Sequence, residues 1–379
     1  MQSQGLRCAF MRGGTSKGLV FEAGDLPQDR AGWDAIFLAA MGSPDPYLRQ
    51  LDGMGGGVSS VSKVCVVGPP SRTDADVDYT FAQVSVGTDT VDYSGNCGNM
   101  TAAIAPFAAL RNLVAVAADG PAVVRLHNTN TGKVVHAHMT MEGGRPATRG
   151  DFVLDGVAGT GSPVRLDFMN PAGAKTGRLL PSAAVCDSLD LPDGTRIRAS
   201  LIDAANPFVF VDGRDLGLSG QELPAELDAN VALKARLEDI RCAASVAMGL
   251  TPDLQAAAAL IALPKITALF SMVDAPTLTG RRLGAHTAHI LTRTVSVGQF
   301  HNAIPLTGAL CLASAMRLAG TIAAQVMRAA ADDADLQIAH PSGCITVDAQ
   351  VQRVDGVLSV ARASAFRTAR LLFDGTVFL

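Results

Sequence analysis

The first candidate for chemistry is Cys97, which lies just before a long apolar segment predicted to be a helix. A helix N-terminus favours a thiolate and offers free N–H groups to an anion. Glycines on both sides let a ligand approach the backbone closely. Most isolated cysteines are small core residues instead, so position alone leaves a catalytic and a structural role open. The surrounding candidate ligand contacts are Asn96, Gly98, Asn99 and Met100.

Lys63 follows a glycine-rich loop, residues 51–62, and opens a strand otherwise composed of valine and cysteine. A loop with so many glycines is typical of a mobile flap or of a close backbone approach to a substrate. Lysine is also common at solvated strand ends. The sequence around Lys63 therefore admits both a proton-transfer group and an ordinary surface lysine.

A third polar segment lies near the start of the chain, at residues 12–18. A phosphate loop needs Gly-Lys-Ser/Thr after a fixed gap, whereas the order here is Thr-Ser-Lys-Gly, which argues against nucleotide binding. One interpretation is a tight turn with a surface lysine. The other is a loop whose N–H groups, with Arg12 or Lys17, hold a carboxylate. Its candidate contacts are Arg12, Thr15, Ser16 and Lys17.

In the second half of the chain, His301 and Asn302 precede a second apolar segment, as the cysteine motif precedes the first. Taken alone, His301 is more typical of a capping or core histidine than of a catalytic one. Ser342 and Gly343 belong to a polar turn that either lines a cleft or closes a loop. The sequence contains no H-E-x-x-H, G-x-S-x-G or dinucleotide-binding fingerprint and no carboxylate-rich cluster, so it predicts no metal site.

Two alanine-rich segments that are apolar around most of their circumference would position these residues. They are predicted to be buried helices over 98–113 and 302–320, since a helix that is apolar all round is normally covered on every side. Each is expected at the centre of one half of the chain, over residues 1–183 and 184–379, and whether the last strand, around 370–379, pairs back to the first half stays open. Short β-branched runs at 63–67, 77–86, 123–126, 134–139 and 164–168 predict strands, and 225–249 predicts an amphipathic surface helix. The fold class is therefore α/β (α+β).

Composition limits the partners. With 48% hydrophobic residues, 17% charged residues and a net charge of −4, the chain has no general attraction to nucleic acid or to an anionic membrane surface. Seven widely spaced cysteines without a C-x-x-C pair favour a reducing compartment, so a cytoplasmic location is expected. No segment has the length and apolarity of a membrane span. The oligomeric state stays open, and a homodimer is compatible with the sequence.

Several of these motifs together resemble the PrpF family of isomerases. The motifs are Met11-Arg12-Gly13-Gly14-Thr15-Ser16-Lys17-Gly18, Met41-Gly42-Ser43-Pro44-Asp45, Gln50-Leu51-Asp52-Gly53-Met54-Gly55-Gly56, Ser62-Lys63 and Gly95-Asn96-Cys97-Gly98-Asn99. Weaker similarity continues at 151–157, 168–171 and 340–343. Independent motifs in one order make a chance match improbable.

The resemblance implies a diaminopimelate-epimerase-like fold, with two pseudo-symmetric halves, each a sheet curled around a central helix, and an active site between them. It implies that Lys63 and Cys97 are the catalytic pair and that neither a metal nor an organic cofactor is needed. The expected substrate is a small unsaturated di- or tricarboxylate, such as 2-methylaconitate or aconitate. The expected reaction is a cis-trans or allylic isomerisation by proton transfer.

Alternatives remain within this resemblance. The sequence before Cys97 is more similar to the methylaconitate branch than to the 4-oxalomesaconate tautomerase branch, which usually has glutamine before Asn-Cys. The segment at His301 departs from the methylaconitate branch, which typically carries two histidines there. An amino-acid racemase or epimerase would need a second cysteine at the start of the second helix, where none stands. A non-catalytic carboxylate-binding protein is the last alternative.

Overall fold

The computed structural model describes residues 5–331 and 334–379. The chain forms two compact units, one of Met1–Phe168 with Phe366–Leu379 and one of Met169–Ala365. The sequence predicts a boundary at 183/184, whereas the chain changes unit at 168/169 and again at 365/366. The second change follows from the last strand, whose end pairs with the first strand of the chain.

Within the described residues, the first unit contains eleven strands and two α-helices, besides the end of the last strand of the chain. The strands are β1 (Gly5–Gly13), β2 (Ser16–Glu22), β3 (Lys63–Gly68), β4 (Val77–Val84), β5 (Val91–Asp92), β6 (Gly120–Asn128), β7 (Lys133–Glu142), β8 (Arg145–Pro146), β9 (Phe152–Val153), β10 (Thr160–Gly161) and β11 (Pro163–Met169). The helices are α1 (Trp33–Met41) and α2 (Gly98–Leu110), with 3₁₀ turns at Ala23–Asp25, Arg30–Gly32 and Ser59–Val61.

In the part of the second unit that the structure describes there are five α-helices and most of the remaining strands. The helices are α3 (Pro224–Ala229), α4 (Val231–Ala247), α5 (Leu254–Ala259), α6 (Leu306–Met316) and α7 (Ile322–Val326), with a 3₁₀ turn at Gly213–Leu216. The strands are β12 (Asp187–Asp190), β13 (Arg196–Ala204), β14 (Asn206–Asp212), β15 (Lys265–Phe270), β16 (Ala275–Pro276), β17 (Arg282–Leu283), β18 (Ile290–Ser296), β19 (Gln299–Phe300), β20 (Leu336–His340) and β21 (Gly343–Val354). The last strand, β22 (Val357–Phe378), begins in this unit and ends in the first.

The same strand order occurs in both units. In the first, β1 pairs antiparallel with β2, β2 parallel with β3, β3 antiparallel with β4, β4 parallel with β6, and β6 antiparallel with β7. In the second, β13, β14, β15, β18, β20 and β21 repeat this series of antiparallel and parallel pairings. The two units are therefore topological copies, as the resemblance implied.

Helix α2 forms the centre of the first unit's main core. All residues from Met100 to Ala109 are buried, and strands β1, β3, β4, β6, β7 and β11 contribute side chains to the same cluster. The prediction of a buried helix is confirmed, but the helix ends at Leu110 rather than at 113. Arg111 caps it and Asn112 takes a left-handed φ of 56°, which ends the helical path.

Helix α6 is the buried helix of the second unit, and it is shorter than the predicted 302–320. It begins after Pro305, which is extended at ψ 146° and serves as the N-cap. A proline disfavours helical geometry in the residue before it, so Ile304 and its predecessors stay outside the helix. The helix ends at Met316, and Gly320 has a φ of +90°. His301 therefore precedes the helix by five residues, and it does not open the helix.

The other sequence predictions are confirmed with shifted bounds. The predicted strands correspond to β3, β4, β6, β7 and β11. The predicted helix over 225–249 is divided at Asn230, whose side chain accepts a hydrogen bond from Leu233 N and caps α4. No helix within the described residues is long and apolar enough to cross a bilayer.

Candidate functional site

Cys97 is the N-cap of α2, and its backbone is extended rather than helical. No side chain of the residues that the structure describes caps this helix. The first helical hydrogen bond runs from Thr101 N to the carbonyl of Cys97, so the amides of Gly98, Asn99 and Met100 precede the ladder. The thiol is partly exposed, in contrast to the buried Cys65. The first turn of α2 thus presents a thiol beside the positive end of a buried helix.

The loop before Cys97 is fixed by a buried hydrogen-bond network. Tyr79 Oη lies 3.2 Å from Asn96 Oδ1 and 3.0 Å from Thr101 Oγ1. Thr101 Oγ1 donates to the carbonyl oxygen of Cys97 at 3.0 Å. Burial raises the pKa of Tyr79 above its ordinary value, so the phenol stays a neutral donor. The side chain of Asn96 therefore helps to fix the backbone of the loop that carries the Cys97 thiol.

Lys63 is the first residue of β3 and is only 8% exposed. Its Nζ donates to Gln83 Oε1 at 2.6 Å and lies 5.0 Å from the centroid of the Phe81 ring. The amide nitrogen of Gln83 donates to the carbonyls of Ser62 and Ser59, which fixes the direction of its oxygen. Lys63 is therefore a held, buried amine and not the solvated strand-end lysine that the sequence also admitted.

The side chains of Lys63 and Cys97 both influence the pKa of Cys65. Burial raises the pKa of Cys65, Cys97 raises it further, and Lys63 lowers it. Since Lys63 and Cys65 are two residues apart on β3, both point to the face of the sheet that packs on α2. The amine and the thiol thus lie on the same side of β3, near the start of α2.

The turn between β1 and β2 packs directly on the first turn of α2. A Cβ on Gly13 would lie 2.3 Å from the carbonyl oxygen of Asn99, so only glycine fits. Asn99 Nδ2 donates to Thr15 Oγ1 at 3.0 Å and reaches Ser16 Oγ at 3.5 Å. Thr15 and Ser16 are therefore brought to the helix terminus, through Asn99.

Arg12 and Lys17 are not brought to the thiol. They are register partners on β1 and β2, so their side chains share one face of the sheet. Lys17 Nζ lies 5.6 Å from the ring of Phe10, which packs in the core cluster opposite to α2. Arg12 donates to the carbonyls of Gly14 and Thr368, and burial, followed by the nearby Arg370, lowers its pKa.

The four predicted residues of the second unit form a cluster of their own. Ser342 Oγ donates to the carbonyl of Asn302 at 2.6 Å, and Gly343 begins β21. His301 N donates to the carbonyl of Thr294. Burial lowers the pKa of His301, and the adjacent Lys265 lowers it further. These contacts support a polar lining, at the approach to α6, for Ser342, Asn302 and His301.

Three residues of these clusters were not identified from the sequence. Gln83 faces Lys63 because they are paired in the register of β3 and β4, and the alternation of β4 was the only signal for it. Lys265 starts β15 as Lys63 starts β3, which follows from the repeated topology. Arg367 lies 268 residues from Asn99, to which its Nε donates at 3.0 Å. No local motif points to Arg367.

The described residues contain no group of three or more histidine, cysteine, aspartate or glutamate side chains arranged to hold a metal ion. The cysteine side chains within residues 5–331 and 334–379 form no disulfide bond. What the first unit brings together is an amine, a thiol, unpaired helix amides and a guanidinium. Such a set suits proton transfer on an anionic substrate.

Comparisons with known proteins show which family the chain resembles. The family model described as PrpF protein matches residues 4–379. A 2-methyl-aconitate isomerase of Cupriavidus necator is 36% identical over 378 residues, covering 97% of this chain and 95% of the relative. A (4E)-oxalomesaconate Delta-isomerase of Novosphingobium sp. (strain KA1) is 39% identical over 373 residues, covering 98% and 97%.

Solved structures extend the comparison. A methylitaconate-delta-isomerase crystal structure superposes with a TM-score of 0.91 at 37% identity and covers 100% of this chain and 96% of its own. A hydroxyproline epimerase of Agrobacterium vitis, at 14% identity and a TM-score of 0.52, covers 99% and 93% and shares the fold alone. The fold is thus of the epimerase-like class that the sequence analysis predicted.

Proposed function

The chain belongs to the PrpF family, and from this premise we propose that it is an isomerase that moves a proton on a small unsaturated di- or tricarboxylate. One observation carries the proposal: Lys63 and Cys97 lie on the same side of β3, at the open N-terminus of a buried helix. An amine and a thiol so placed can exchange protons with one substrate carbon framework.

The reaction begins with removal of a proton from the carbon γ to a carboxylate across the C=C bond. The C–H electron pair passes into the conjugated system, so negative charge grows on the carboxylate oxygens. A proton then returns either to the α carbon, which shifts the double bond, or to the γ carbon after rotation, which changes its geometry. No atom is gained or lost.

The proposed proton carriers are Lys63 and Cys97. Lys63 accepts a proton only as the neutral amine, and Gln83 Oε1 holds its nitrogen in place. Cys97 then donates the second proton, and the two exchange roles when the reaction runs in reverse. The amides that begin α2 are fixed donors for the growing negative charge, and preorganised donors of this kind usually supply the largest share of catalysis.

The first substrate proposed is 2-methylaconitate or aconitate, because the residues before Cys97 resemble the methylaconitate branch. The alternative is 4-oxalomesaconate, since the relative named for that substrate is similarly close in identity. A two-thiol racemase is disfavoured. Cys311 lies inside α6, fully buried, with Sγ donating to the Ile202 carbonyl at 3.5 Å.

We also propose a cytoplasmic location, which the seven widely spaced cysteines without a C-x-x-C pair support. Thiols that stay reduced are typical of proteins in a reducing compartment.

The first prediction tests the proton carriers. In D₂O the wild-type protein is expected to isomerise or deuterate one of four acids: 2-methylaconitate, trans-aconitate, 4-oxalomesaconate or methylitaconate. Proton NMR of each acid measures the reaction. Cys97→Ser and Lys63→Ala should each slow the exchange by about 10²–10⁴-fold, the usual contribution of a positioned acid or base.

Matched controls are Cys186→Ser, at another partly exposed thiol, and Lys133→Ala, at another lysine that starts a strand. Both should exchange at the wild-type rate. Full activity of Cys97→Ser would remove the thiol from the mechanism, and inertness of wild type toward all four acids would overturn the proposed substrate class.

A further inference from the structure

Arg367 is a buried cation that has no acidic partner among the described residues. It is 8% exposed, and its guanidinium donates from Nε to Asn99 Oδ1 and from Nη1 to the Phe366 carbonyl. Over residues 5–331 and 334–379 no carboxylate lies within ion-pair distance of it, and Nη2 has no hydrogen-bond acceptor.

Other arginines with little side-chain exposure are compensated in one of two ways. Arg293, which is 1% exposed, donates from its three guanidinium nitrogens to the carbonyl oxygens of Glu222, Thr292 and Gly220. Arg111 pairs with Glu22 and Asp374, and Arg317 pairs with Asp348. A buried charge left without an anion is strongly unfavourable, so one is normally present. Among the described residues Arg367 has no such carboxylate, and it has one backbone carbonyl acceptor where Arg293 has three.

The burial of Arg367 has an electrostatic signature. Loss of hydration lowers its pKa to about 10, and the nearby Cys97 acts in the opposite direction. The group is still a cation at neutral pH, and the Cys97 sulfur lies within the range of its charge. An anion that entered here would therefore meet the guanidinium and the thiol together.

The first turn of α2 adds a second, independent source of positive potential at the same place. Asn99, which receives the hydrogen bond from Arg367, is the second residue of this 13-residue helix. The uncapped amides of Gly98, Asn99 and Met100 belong to this turn. Helix N-termini bind carboxylates and phosphates by such amides, and a guanidinium fork matches a carboxylate.

We infer that Arg367, held in place by Asn99, binds the substrate carboxylate that is conjugated to the double bond, beside Cys97 at the start of α2. This inference rests on the proposed function and names the part of the substrate that the first unit holds. The carboxylate neutralises the buried cation, and the cation stabilises the charge that the carboxylate gains when the carbon loses its proton. Substrates in which this carboxylate is replaced by an amide should therefore be poor.

The test uses Arg367→Gln and Arg367→Lys, with Arg370→Gln as control, three residues further along β22, exposed and on the opposite face of the strand. Tricarballylate, a saturated tricarboxylate that cannot isomerise, serves as the ligand. Its binding is read as protection of Cys97 from iodoacetamide, by mass spectrometry of the peptide that contains residue 97.

Wild type and Arg370→Gln should be protected at the same tricarballylate concentration. Arg367→Gln should need about 10²-fold more, and Arg367→Lys about tenfold more, because lysine keeps the charge but not the fork. With a turned-over substrate, Arg367→Gln should lower kcat/KM by about 10²-fold as well. Its Tm should not fall, since an uncompensated buried charge is removed; a purely structural arginine would lower it.

The inference fails if wild type is not protected, or if Arg367→Gln is protected as wild type is. Either result is separable from the proposed function, which is judged by turnover in wild type. Arg367-dependent protection without turnover of any tested acid would keep the anion site and reject the reaction. Turnover that Arg367→Gln leaves unchanged would do the reverse.

Discussion

The starts of the two buried helices differ, although the strands around them follow one plan. Helix α2 begins directly after Cys97, with uncapped amides and Asn99 bound to Arg367. Helix α6 begins behind Pro305, and His301 and Asn302 lie upstream of it. A repeated fold therefore provides two equivalent positions, and only the first has a thiol at its helix terminus.

The equivalent lysines show the same contrast. Lys63 and Lys265 each open the strand that runs parallel to its predecessor, at register positions opposite Gly18 and Phe208. Lys63 is held by Gln83, whereas the Lys265 amine makes no hydrogen bond within residues 5–331 and 334–379. Burial lowers the pKa of Lys265. Both units have a lysine at this position of the fold. The hydrogen-bond partner of the amine decides how firmly its nitrogen is held.

The largest expected effect sharpens this contrast. Lys63→Met should slow proton exchange by about 10²–10⁴-fold, because a general acid or base is lost, while Lys265→Met should cost less than about tenfold. Deuterium incorporation into the substrate, measured by NMR at saturating substrate, gives both numbers. Equal losses in the two variants would show that the duplicated lysines share the chemistry.

A second contrast concerns glycines that pack against a neighbour in each unit. A Cβ at Gly13 would lie 2.3 Å from the backbone oxygen of Asn99, whereas one at Gly308, inside α6, would lie 2.7 Å from the Phe208 ring. Backbone in a buried helix cannot yield as a ring can, and alanine gains helix propensity at Gly308. Gly13→Ala should therefore cost about 3 kcal/mol of unfolding free energy and Gly308→Ala about 1 kcal/mol.

Urea denaturation of both variants measures this difference, with proton exchange assayed in parallel. Gly13→Ala should also lose activity, because the start of α2 must shift. If Gly308→Ala proved the more destabilising of the two, the tight contact of the β1–β2 turn with α2 would not be the stricter constraint.

The features that the sequence predicts correctly are those set by interactions between residues close together along the chain. Buried helices, strands and the loop at Cys97 are encoded locally, in apolar periodicity and glycine placement, and the structure confirms them. The start of α6 was wrong by four residues, because Pro305 acts at the N-cap rather than inside the first turn.

Long-range pairings were not predictable in this way. Arg367 reaches Asn99 only because β22 returns to pair with β1, and no spacing along the chain encodes that register. Arg12 and Lys17 lie on the face of the sheet away from α2, and the sequence did not predict this either. A glycine-rich turn does not reveal on which face of the sheet its neighbours place their side chains. Polar residue types identified the site, and the topology decided which of them meet.

The smallest expected effect concerns pH and the approach to α6. Burial, reinforced by Lys265, holds the pKa of His301 below its ordinary 6.5, so the unfolded chain binds the proton more readily than the native one. The unfolding free energy contributed at this site is therefore fully present above pH 6.5 and falls as the pH drops below it, with a slope under about 1.4 kcal/mol per pH unit. His301→Asn should flatten the stability profile between pH 7 and 5.

In the first unit His136, whose pKa burial also lowers, is the matched control: His136→Asn should flatten the profile too. A profile that His301→Asn leaves as steep as wild type, while His136→Asn flattens it, would mean that the approach to α6 opens to solvent more readily than its burial implies.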